Sequence, residues 1–412
     1  MRFAYFSPLP PERSGIADYS ALLLPALRTR VQLTVVRRGA KRPPRGTDLA
    51  VYHIGNNPDA HGWILDALRR APGLVVLHDF VLHHLVAGVT VGRRDGHAYL
   101  DAMEREAGVV GRLLAHGVLD KRLPPLWENR PEDFPLAGEV LSLATGLVVH
   151  SAHVHDRARD AGYEGPVSVV PHPAWPVPDT PAAGLSGDPL LGCFGNVNQS
   201  KRVPQLLEAF AELRRHRPGA RLLLVGAVSP GFDLERRLQR LGIEGDGILR
   251  EGYVDEARLW ALMKACDVHV GLRSPTMGET SGSAIRALSL GKPLVVSDAG
   301  WFRELPDDVA LKVPVGADEV VTLTAALELL ADRGDVRESM GAAAHELARR
   351  EHDLERAADR YVAAFETTAG GRAVSDALLR EVSEAGADVG IEPGSPEAKE
   401  LARRLAEVDL GA

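Results

Sequence analysis

The sequence predicts an α/β fold of two domains, each built around a parallel sheet. Short apolar runs rich in β-branched residues alternate with longer segments of helical period from end to end. The runs are apolar throughout rather than alternating, as expected for strands that are buried on both faces. A proline-dense segment divides the alternation into two similar halves, which predicts one domain on each side of it.

The first half contains six predicted strands. In chain order they read RFAYF, VQLTVV, LAVYHI, GLVVLHD, GLVVHS and VSVVPH. Apolar residues three and four apart predict helices between them, for example over 18–27 and 60–70. The segment PHPAWPVPDTPAAGLSGDP, residues 171–189, then predicts a semi-rigid linker.

After the linker the alternation restarts with a second set of predicted strands. They read LLGCFG, LLLVG, GILREG, VHVGLR, PLVVSD and VALKVP. Residues 320–365 are nearly all helix-forming, whereas glycines and prolines from about residue 370 predict that no long helix continues there. We therefore expect domains over 1–175 and 176–355, with helices in 356–412 that pack back toward the first domain.

The composition is that of a soluble globular protein. Apolar residues make up 45%, charged residues 25%, and the net charge is −8, which gives no basic surface for nucleic acid. Cys193 and Cys266 lie in apolar runs, so no disulfide framework is predicted. No run resembles a spanning helix or a signal peptide, so we expect a cytoplasmic protein. The basic segment 36–45 could touch anionic lipid headgroups, but it is more simply a solvated loop.

Two parallel domains joined by a hinge leave a cleft between the carboxyl ends of their strands, where ligands bind in such folds. Ser14 and Gly15 follow the first strand and begin a helix, which suits a phosphate or, more plainly, a capped helix start. His78 and Asp79 end the fourth strand, and their polar groups suit sugar hydroxyls or proton transfer. Asp79 could instead cap a helix.

Three nearby features of the first domain are weaker candidates. His83 and His84 have the spacing of the helix that follows and favour packing or surface positions. A zinc site could be built from His78, Asp79, His83 and His84, but four ligands on one short segment do not match the usual zinc spacings. Gly55 and Asn56 could form a turn or line the cleft.

In the second domain, the loop GNVNQSKR places Lys201 after a strand, where an ammonium group can reach a diphosphate. Gly252, Tyr253 and Val254 follow another strand, where backbone groups could contact a flat base. Taken alone, this segment could equally be a loop before a helix capped by Asp255.

The segment GETSGSAIRALSLGKP predicts a helix whose first amides face the cleft. Thr280 or Ser281 can cap it, and Gly282 removes a side chain that would block a ligand. Arg286 lies about one turn inward and could face an anion. These residues could serve only to cap the helix. Because Lys201 and Gly15 are also predicted at the cleft, a phosphate-binding site is the favoured interpretation.

The order of these motifs resembles the retaining glycosyltransferases of family 4, which have the GT-B fold of two Rossmann-like domains facing across a cleft. The resemblance covers about residues 1–366 and is strongest over 191–306. It implies diphosphate contacts at Ser14 and Gly15 and a donor-sugar contact at His78. It also implies that Lys201 binds the diphosphate, whereas Asn196 stands where the family has an arginine.

The family's two glutamates, seven residues apart, are altered in this chain. Alignment on ALSLGKP places Gly278 at the first glutamate and Arg286 at the second, with Glu279 one position along. We expect Glu279 to keep the first glutamate's place near the donor sugar. Arg286 then replaces a ribose contact and could compensate for Asn196.

The resemblance implies transfer of a sugar from a nucleotide-diphosphate sugar to an acceptor hydroxyl, with retention of anomeric configuration. The first domain would bind the acceptor, a glycan, lipid or small molecule, and the second domain the donor. His78, Asp79 and Glu279 are the expected catalytic residues, and no metal site, cofactor or nucleic acid is expected. The alternatives are a catalytically silent scaffold or partner subunit, suggested by the altered glutamates, and a nucleotide-sugar epimerase.

Overall fold

The computed structural model describes residues 1–245, 247–388, 390–392 and 394–407. The described residues form two six-stranded sheets in which every neighbouring pair of strands is parallel. Each sheet carries helices on both faces, so its central strands are buried on both sides, whereas some edge strands are partly exposed. The predicted two-domain α/β fold is confirmed.

The first sheet has the strand order β2-β1-β3-β4-β5-β6. Its strands are β1 Arg2–Phe6, β2 Gln32–Val35, β3 Leu49–Ile54, β4 Gly73–Leu77, β5 Ala144–Val149 and β6 Val167–Val169. The helices of this half are α1 Gly15–Arg28, α2 Pro58–Leu68, α3 His83–Val89, α4 Gly96–Leu119, α5 Leu126–Asn129, α6 Gly138–Leu143 and α7 Ala152–Asp160, with 3-10 turns at Val91–Arg93 and Pro131–Asp133.

The second sheet has the order β12-β11-β10-β7-β8-β9. Its strands are β7 Leu190–Phe194, β8 Arg221–Val225, β9 Ile248–Glu251, β10 Val268–Gly271, β11 Leu294–Ser297 and β12 Ala310–Val313. The helices are α8 Val203–His216, α9 Leu234–Leu241, α10 Glu256–Ala265, α11 Gly282–Ser289, α12 Glu319–Asp332, α13 Gly334–Glu351, α14 Leu354–Asp388 and α15 Pro396–Glu407, with a 3-10 turn at Gly300–Glu304. Each predicted apolar run overlaps one strand.

The long helix α14 returns to the first sheet. Its residues Tyr361 and Phe365 are buried in the same core cluster as Phe3 and Leu23, and Tyr19 Oη lies 2.6 Å from Tyr361 Oη. The prediction that no long helix continues beyond about residue 370 is wrong. The packed first half of α14 nucleates the helix, and the two glycines at 370–371 cost only about 1 kcal/mol each.

The two halves are joined by backbone hydrogen bonds as well as by the linker. Phe80 N and Val81 N both donate to Met277 O, at 2.7 and 2.9 Å. The carboxylate of Glu304 accepts hydrogen bonds from the first amides of α7 in the other half. These contacts hold the carboxyl edges of the two sheets together. No helix among the described residues has the length and apolar character needed to cross a membrane.

Candidate active site

A cavity of about 260 Å³ lies between the two halves, at the carboxyl ends of both sheets. It is lined by Ser14, Gly15, Ile16, Tyr19, Asn56, Asn57, His61, His78, Asp79, His150, His172, Trp175, Glu279, Thr280, Gly282 and Arg286. Eight of these are residues that the sequence predicted for the site. The cavity is therefore where the predicted residues of both domains meet.

The strand order explains this position. In the first sheet β1 lies between β2 and β3, so the chain reverses its direction of travel between β1 and β3. In the second sheet the same reversal occurs between β7 and β10. Loops that leave such a pair of strands diverge and open a crevice. The loops after β1 and β3 and those after β7 and β10 consequently flank the site.

Ser14 and Gly15 begin helix α1 at the cavity. Ser14 is the N-cap, and its Oγ accepts a hydrogen bond from Ile16 N at 3.3 Å. A Cβ added to Gly15 would meet no atom within 4 Å. The helix is therefore capped by Ser14, and its open N-terminal end faces the cavity.

Helix α11 begins at the opposite wall. Ser281 is its N-cap and accepts a hydrogen bond from Ala284 N at 3.3 Å, but it does not line the cavity. Thr280 and Gly282 do, and Thr280 Oγ1 is buried without a hydrogen-bond partner. The capping role thus belongs to Ser281, which leaves the hydroxyl of Thr280 available to a ligand.

Arg286 lies inside the site and stacks on aromatic rings. Its guanidinium carbon is 3.6 Å from the ring centroid of Trp175 and 5.8 Å from that of Trp260. Nη2 lies 3.7 Å from Glu256 Oε1, and Nε is buried without a partner. Burial lowers the pKa of Arg286, while Glu256 and Asp18 oppose that shift. A cation held flat in this way can bind an anionic ligand through Nε.

Lys201, Arg273 and Glu279 form a charged cluster beside the cavity. Arg273 Nε lies 2.7 Å from Glu279 Oε1, and Lys201 Nζ donates to Phe194 O at 2.8 Å. Burial, followed by the positive charge of Arg273, lowers the pKa of Lys201 to about 8. Glu279 Oε2 accepts hydrogen bonds from Thr276 Oγ1 and from the backbone amide of residue 277. Both oxygens of this carboxylate are therefore occupied.

Four other predicted residues lie outside the cavity lining. Asn196 is exposed on the loop after β7. Gly252 is exposed, and Tyr253 is 66% exposed. Val254 is partly buried against the hydrophobic core of the second domain. The guanidinium of Arg13, from the loop after β1, lies 4.7 Å from the ring centroid of Tyr253. This pair joins the two halves beyond the lining of the cavity.

Asp79 lies at the end of β4 and does not cap a helix. Helix α3 begins at His83, and its first amides instead donate to the side chain of Asn56, from His84 N at 3.0 Å and Leu85 N at 3.1 Å. Asp79 Oδ2 accepts a hydrogen bond from Asn56 N at 2.7 Å. Burial, and then repulsion by Glu279, raises the pKa of Asp79 to about 7. The carboxyl group can therefore gain or lose a proton near neutral pH.

His78 belongs to a chain of buried imidazoles. His150 Nδ1 lies 2.8 Å from Val170 O, so this nitrogen carries the hydrogen and Nε2 is an acceptor. His150 Nε2 lies 3.2 Å from His78 Nδ1, and His78 Nε2 lies 2.9 Å from His53 Nδ1. The direction set at Val170 fixes each neutral ring with its hydrogen on Nδ1. Both ring nitrogens of His78 are thereby engaged.

These buried imidazoles contact one another because strands β3, β4 and β5 are neighbours in the sheet. Leu77 pairs with Val149, so the next residues, His78 and His150, leave the sheet side by side. Burial lowers the pKa of His150 to about 4, and that of His78 below its usual range, where neighbouring imidazoles add to the effect. Tyr19 packs against these rings, at 4.9 Å from the ring centroid of His78. The rings are thus neutral at physiological pH.

His83 and His84 have structural positions, as expected. His83 Nε2 lies 2.9 Å from Tyr99 Oη in a buried contact, and the half-exposed His84 faces Glu128. Among the residues that the structure describes, no group of three or more His, Cys, Asp or Glu side chains is placed to hold a metal ion.

Several residues in or beside the cavity were missed by the sequence analysis. Arg273, His150 and His172 follow strands β10, β5 and β6, so the rule that selected His78 could have selected them. His61 lies within α2 and Trp175 within the linker, and no strand end marks either one. Their contribution depends on how α2 and the linker pack.

Comparison with known proteins agrees with this architecture. Residues 188–332 match the family model Glycosyl transferases group 1. No match was found among curated proteins. Among solved structures, sucrose-phosphate synthase from Thermosynechococcus elongatus is 16% identical, covers 93% of this chain and 100% of its own, and has a TM-score of 0.58.

Two further structures are similar over most of the chain. Anabaena HepE in complex with UDP and glucose is 15% identical, covers 89% of this chain and 100% of its own, and has a TM-score of 0.61. AviGT4, a glycosyltransferase involved in avilamycin A biosynthesis, is 18% identical, covers 90% and 98%, and has a TM-score of 0.52. The chain therefore has the GT-B fold of two Rossmann-like domains, and residues 188–332 within it match the group 1 glycosyltransferases.

Proposed function

We propose that this protein is a glycosyltransferase that moves a sugar from a nucleotide-diphosphate sugar to an acceptor hydroxyl, with retention of anomeric configuration. One observation carries the proposal. Lys201, Arg273 and Arg286, together with the N-terminal ends of α1 and α11, converge at or beside one cavity between the domains. Such a set of cations and free amides suits a diphosphate.

In the proposed reaction, the bond between the anomeric carbon and the diphosphate oxygen breaks, and its electron pair remains on that oxygen. The acceptor oxygen forms a new bond to the same carbon, and the hydroxyl proton passes to the diphosphate or to solvent. The leaving diphosphate gains negative charge. Cationic groups fixed in place before the reaction stabilise that charge in the transition state. The proposal accordingly uses no metal ion or other cofactor.

The carboxylates of the site favour positioning over covalent catalysis. Both oxygens of Glu279 are held by Arg273, Thr276 and a backbone amide, so Glu279 orients the charged cluster and the donor sugar. Asp79, with a pKa of about 7, is only partly ionised at neutral pH. The absence of a free carboxylate nucleophile among these two supports attack and departure on the same face, as the resemblance to family 4 implies.

The nucleotide is proposed to extend from the diphosphate toward residues 252–254. Tyr253 and Arg13 stack there between the two halves. The solved structure of HepE with UDP-glucose, 14% identical with a TM-score of 0.54, makes UDP-sugars the first donors to test. We further propose a cytoplasmic enzyme that is at most peripheral to a membrane.

The proposal is tested by incubating the purified protein with UDP-, GDP-, ADP- and dTDP-sugars and measuring release of the nucleoside diphosphate. We expect release from at least one donor, and the anomeric proton coupling of the product to match that of the donor. Binding of a donor without release would favour the silent scaffold, which the replacement of a glutamate by Arg286 suggests. Conversion of the donor into an epimer would favour the epimerase.

A further inference from the structure

Three polar atoms of the cavity wall lack hydrogen-bond partners. They are His61 Nε2, Thr280 Oγ1 and Arg286 Nε, all buried and all on residues that line the cavity. A buried polar atom without a partner costs about 1–3 kcal/mol. Three such atoms around one cavity indicate a ligand that satisfies them. Thr280 and Arg286 belong to the second domain, whereas His61 belongs to the first.

His61 can act only as a hydrogen-bond acceptor toward this ligand. Its side chain is fully buried, and Nδ1 lies 3.0 Å from His53 O, which can only accept. Nδ1 therefore carries the hydrogen and Nε2 is a bare nitrogen. Burial lowers the pKa of His61 to about 4, so a second proton does not bind at neutral pH. The missing partner must be a donor such as a hydroxyl group.

Asp79 lies next to the same nitrogen. A Cβ built on Gly55 would lie 3.0 Å from His61 Nε2 and 3.0 Å from Asp79 Oδ2. The same Cβ would lie only 2.5 Å from Ile16 Cδ1, so residue 55 is a glycine because a side chain has no room there. Asp79 Oδ2 already accepts from Asn56 N. Its carboxyl group and His61 thus present neighbouring acceptors to one small space.

The charge of this wall selects the kind of hydroxyl compound. Among the cavity-lining residues of the first domain, all within the described part of the chain, there is no lysine or arginine. The basic residue whose charge acts on His61 is Arg38, and it pairs with Glu12 outside the lining. The cations Arg273 and Arg286 come from the second domain. An acidic acceptor would therefore find Asp79 and no cation on this side.

We propose that His61 and Asp79 form the acceptor subsite and that the acceptor is a neutral polyhydroxyl compound, such as a sugar or a cyclitol. One hydroxyl donates its hydrogen to His61 Nε2, and a neighbouring hydroxyl donates to the carboxylate of Asp79. The inference rests on the proposed function, since it takes the second domain to hold the donor. The hydroxyl bound at Asp79 lies beside the donor sugar, where it can react.

The test measures nucleoside diphosphate release with the best donor from the panel, alone and with acceptor probes. The neutral probes are glycerol, myo-inositol and D-glucose, and the acidic probes are glycerol 3-phosphate and D-glucose 6-phosphate. We expect at least one neutral probe to raise the rate of release at least tenfold, and the acidic probes to raise it less.

Variants assign the effect to the residues. His61→Leu removes the acceptor nitrogen and should lose at least tenfold of the stimulation by the neutral probe, with a smaller change in the Kd for the nucleoside diphosphate. His61→Gln, whose amide oxygen can replace Nε2, should recover part of the stimulation. His83→Leu is the matched control, because His83 is equally buried but lies outside the cavity. Asp79→Asn keeps a polar side chain of the same size, so it should fold, and it should raise the KM for the neutral probe.

The outcomes separate the two proposals. Absence of release from every donor would overturn the proposed function and the acceptor site with it. Release that is stimulated more by acidic probes, or by no neutral probe, would overturn only the acceptor assignment. The acceptor assignment would also be overturned if His61→Leu and Asp79→Asn respond to the neutral probe as wild type does.

Discussion

Arg273 and Glu279 form an ion pair, 2.7 Å between Nε and Oε1, at the junction of the two domains. Arg273 follows β10, and Glu279 lies on the same loop as Met277, whose carbonyl oxygen accepts hydrogen bonds from the first domain. Glu279 raises the pKa of Asp79 across the cleft, whereas Arg273 opposes that shift. Arg273 thus acts electrostatically on Lys201 as well as on the carboxyl groups of Glu279 and Asp79.

We predict that Arg273→Ala weakens binding of the nucleoside diphosphate at least tenfold, about 1.4 kcal/mol. The change removes a cation from the proposed diphosphate site and also leaves the repulsion between Glu279 and Asp79 uncompensated. Isothermal titration calorimetry gives the Kd directly. Arg303→Ala serves as the control, because Arg303 is an exposed arginine of the same domain that pairs with Asp298. Equal Kd values for both variants would exclude Arg273 from the site.

Lys201 should make diphosphate binding depend on pH. Because its pKa is lowered to about 8, the ammonium group loses its charge as the pH rises through 8 rather than through 10.5. Affinity for the nucleoside diphosphate should therefore fall between about pH 7.5 and pH 9 in the wild type. Binding at pH 8 should take up a proton, which is measured by calorimetry in buffers of different ionisation enthalpy.

Two variants of Lys201 test this explanation. Lys201→Ala should bind the diphosphate weakly at every pH, lower turnover strongly and leave the unfolding temperature little changed. Lys201→Arg should retain a charge that does not titrate in this range. A pH dependence that persists in both variants would show that another group is responsible.

The sequence predicted the positions of the strands well, because the central strands are buried on both faces and read as apolar runs. It also predicted that residues after strands meet at a cleft. It did not predict that Ser281 rather than Thr280 caps α11, since either hydroxyl fits that position in the sequence. Nor could it show that the two ring nitrogens of His78 are occupied by other histidines.

The remaining differences arise from packing between distant segments. Arg286 stacks on Trp175, which comes from the linker, and no local pattern connects the two. His61 is placed by the packing of α2 on β3, where its Nδ1 reaches His53 O. Arg273 could have been selected from the run VHVGLR, since it directly follows a strand.

The buried histidines should make the protein sensitive to acid. His61 and His150 have pKa values of about 4 in the folded protein, because burial disfavours their charged forms, compared with about 6.5 in the unfolded chain. The unfolded chain therefore binds protons first, and stability falls as the pH drops from 6.5 to 4. Each histidine contributes at most about 1.4 kcal/mol per pH unit. Asp79 acts in the opposite direction, since its folded pKa is raised to about 7.

Among the described residues, burial lowers the pKa of nine histidines and raises the pKa of four carboxyl groups. We therefore predict a lower unfolding temperature at pH 5 than at pH 7. Thermal unfolding followed by circular dichroism measures this change. His150→Asn removes one titrating group and should make the pH dependence shallower, whereas His97→Asn, at an exposed position, should leave it unchanged. Identical slopes for wild type and His150→Asn would contradict the assignment.

Arg286 stands where the resemblance to family 4 would place a glutamate. Arg286→Glu restores that residue type, yet its carboxylate would lie near Glu256 and Asp18 and would lose the stacking on Trp175. A desolvated cation–π contact of this kind is worth about 2 kcal/mol. We therefore expect Arg286→Glu to lower both the unfolding temperature and the affinity for the nucleoside diphosphate. Arg286→Lys keeps the charge without the planar stack and should be intermediate.

Arg286→Met separates charge from volume. It loses the cation–π contact but retains an apolar chain between Trp175 and Trp260 and buries no charge, so it should unfold at a higher temperature than Arg286→Glu while binding the diphosphate at least tenfold more weakly than wild type. Comparison of the three variants by calorimetry and thermal unfolding thus distinguishes an anion-binding arginine from a purely structural one. Tighter binding by Arg286→Glu would mean that the ribose contact of the family is still available here, and that Arg286 occupies its place without binding the donor.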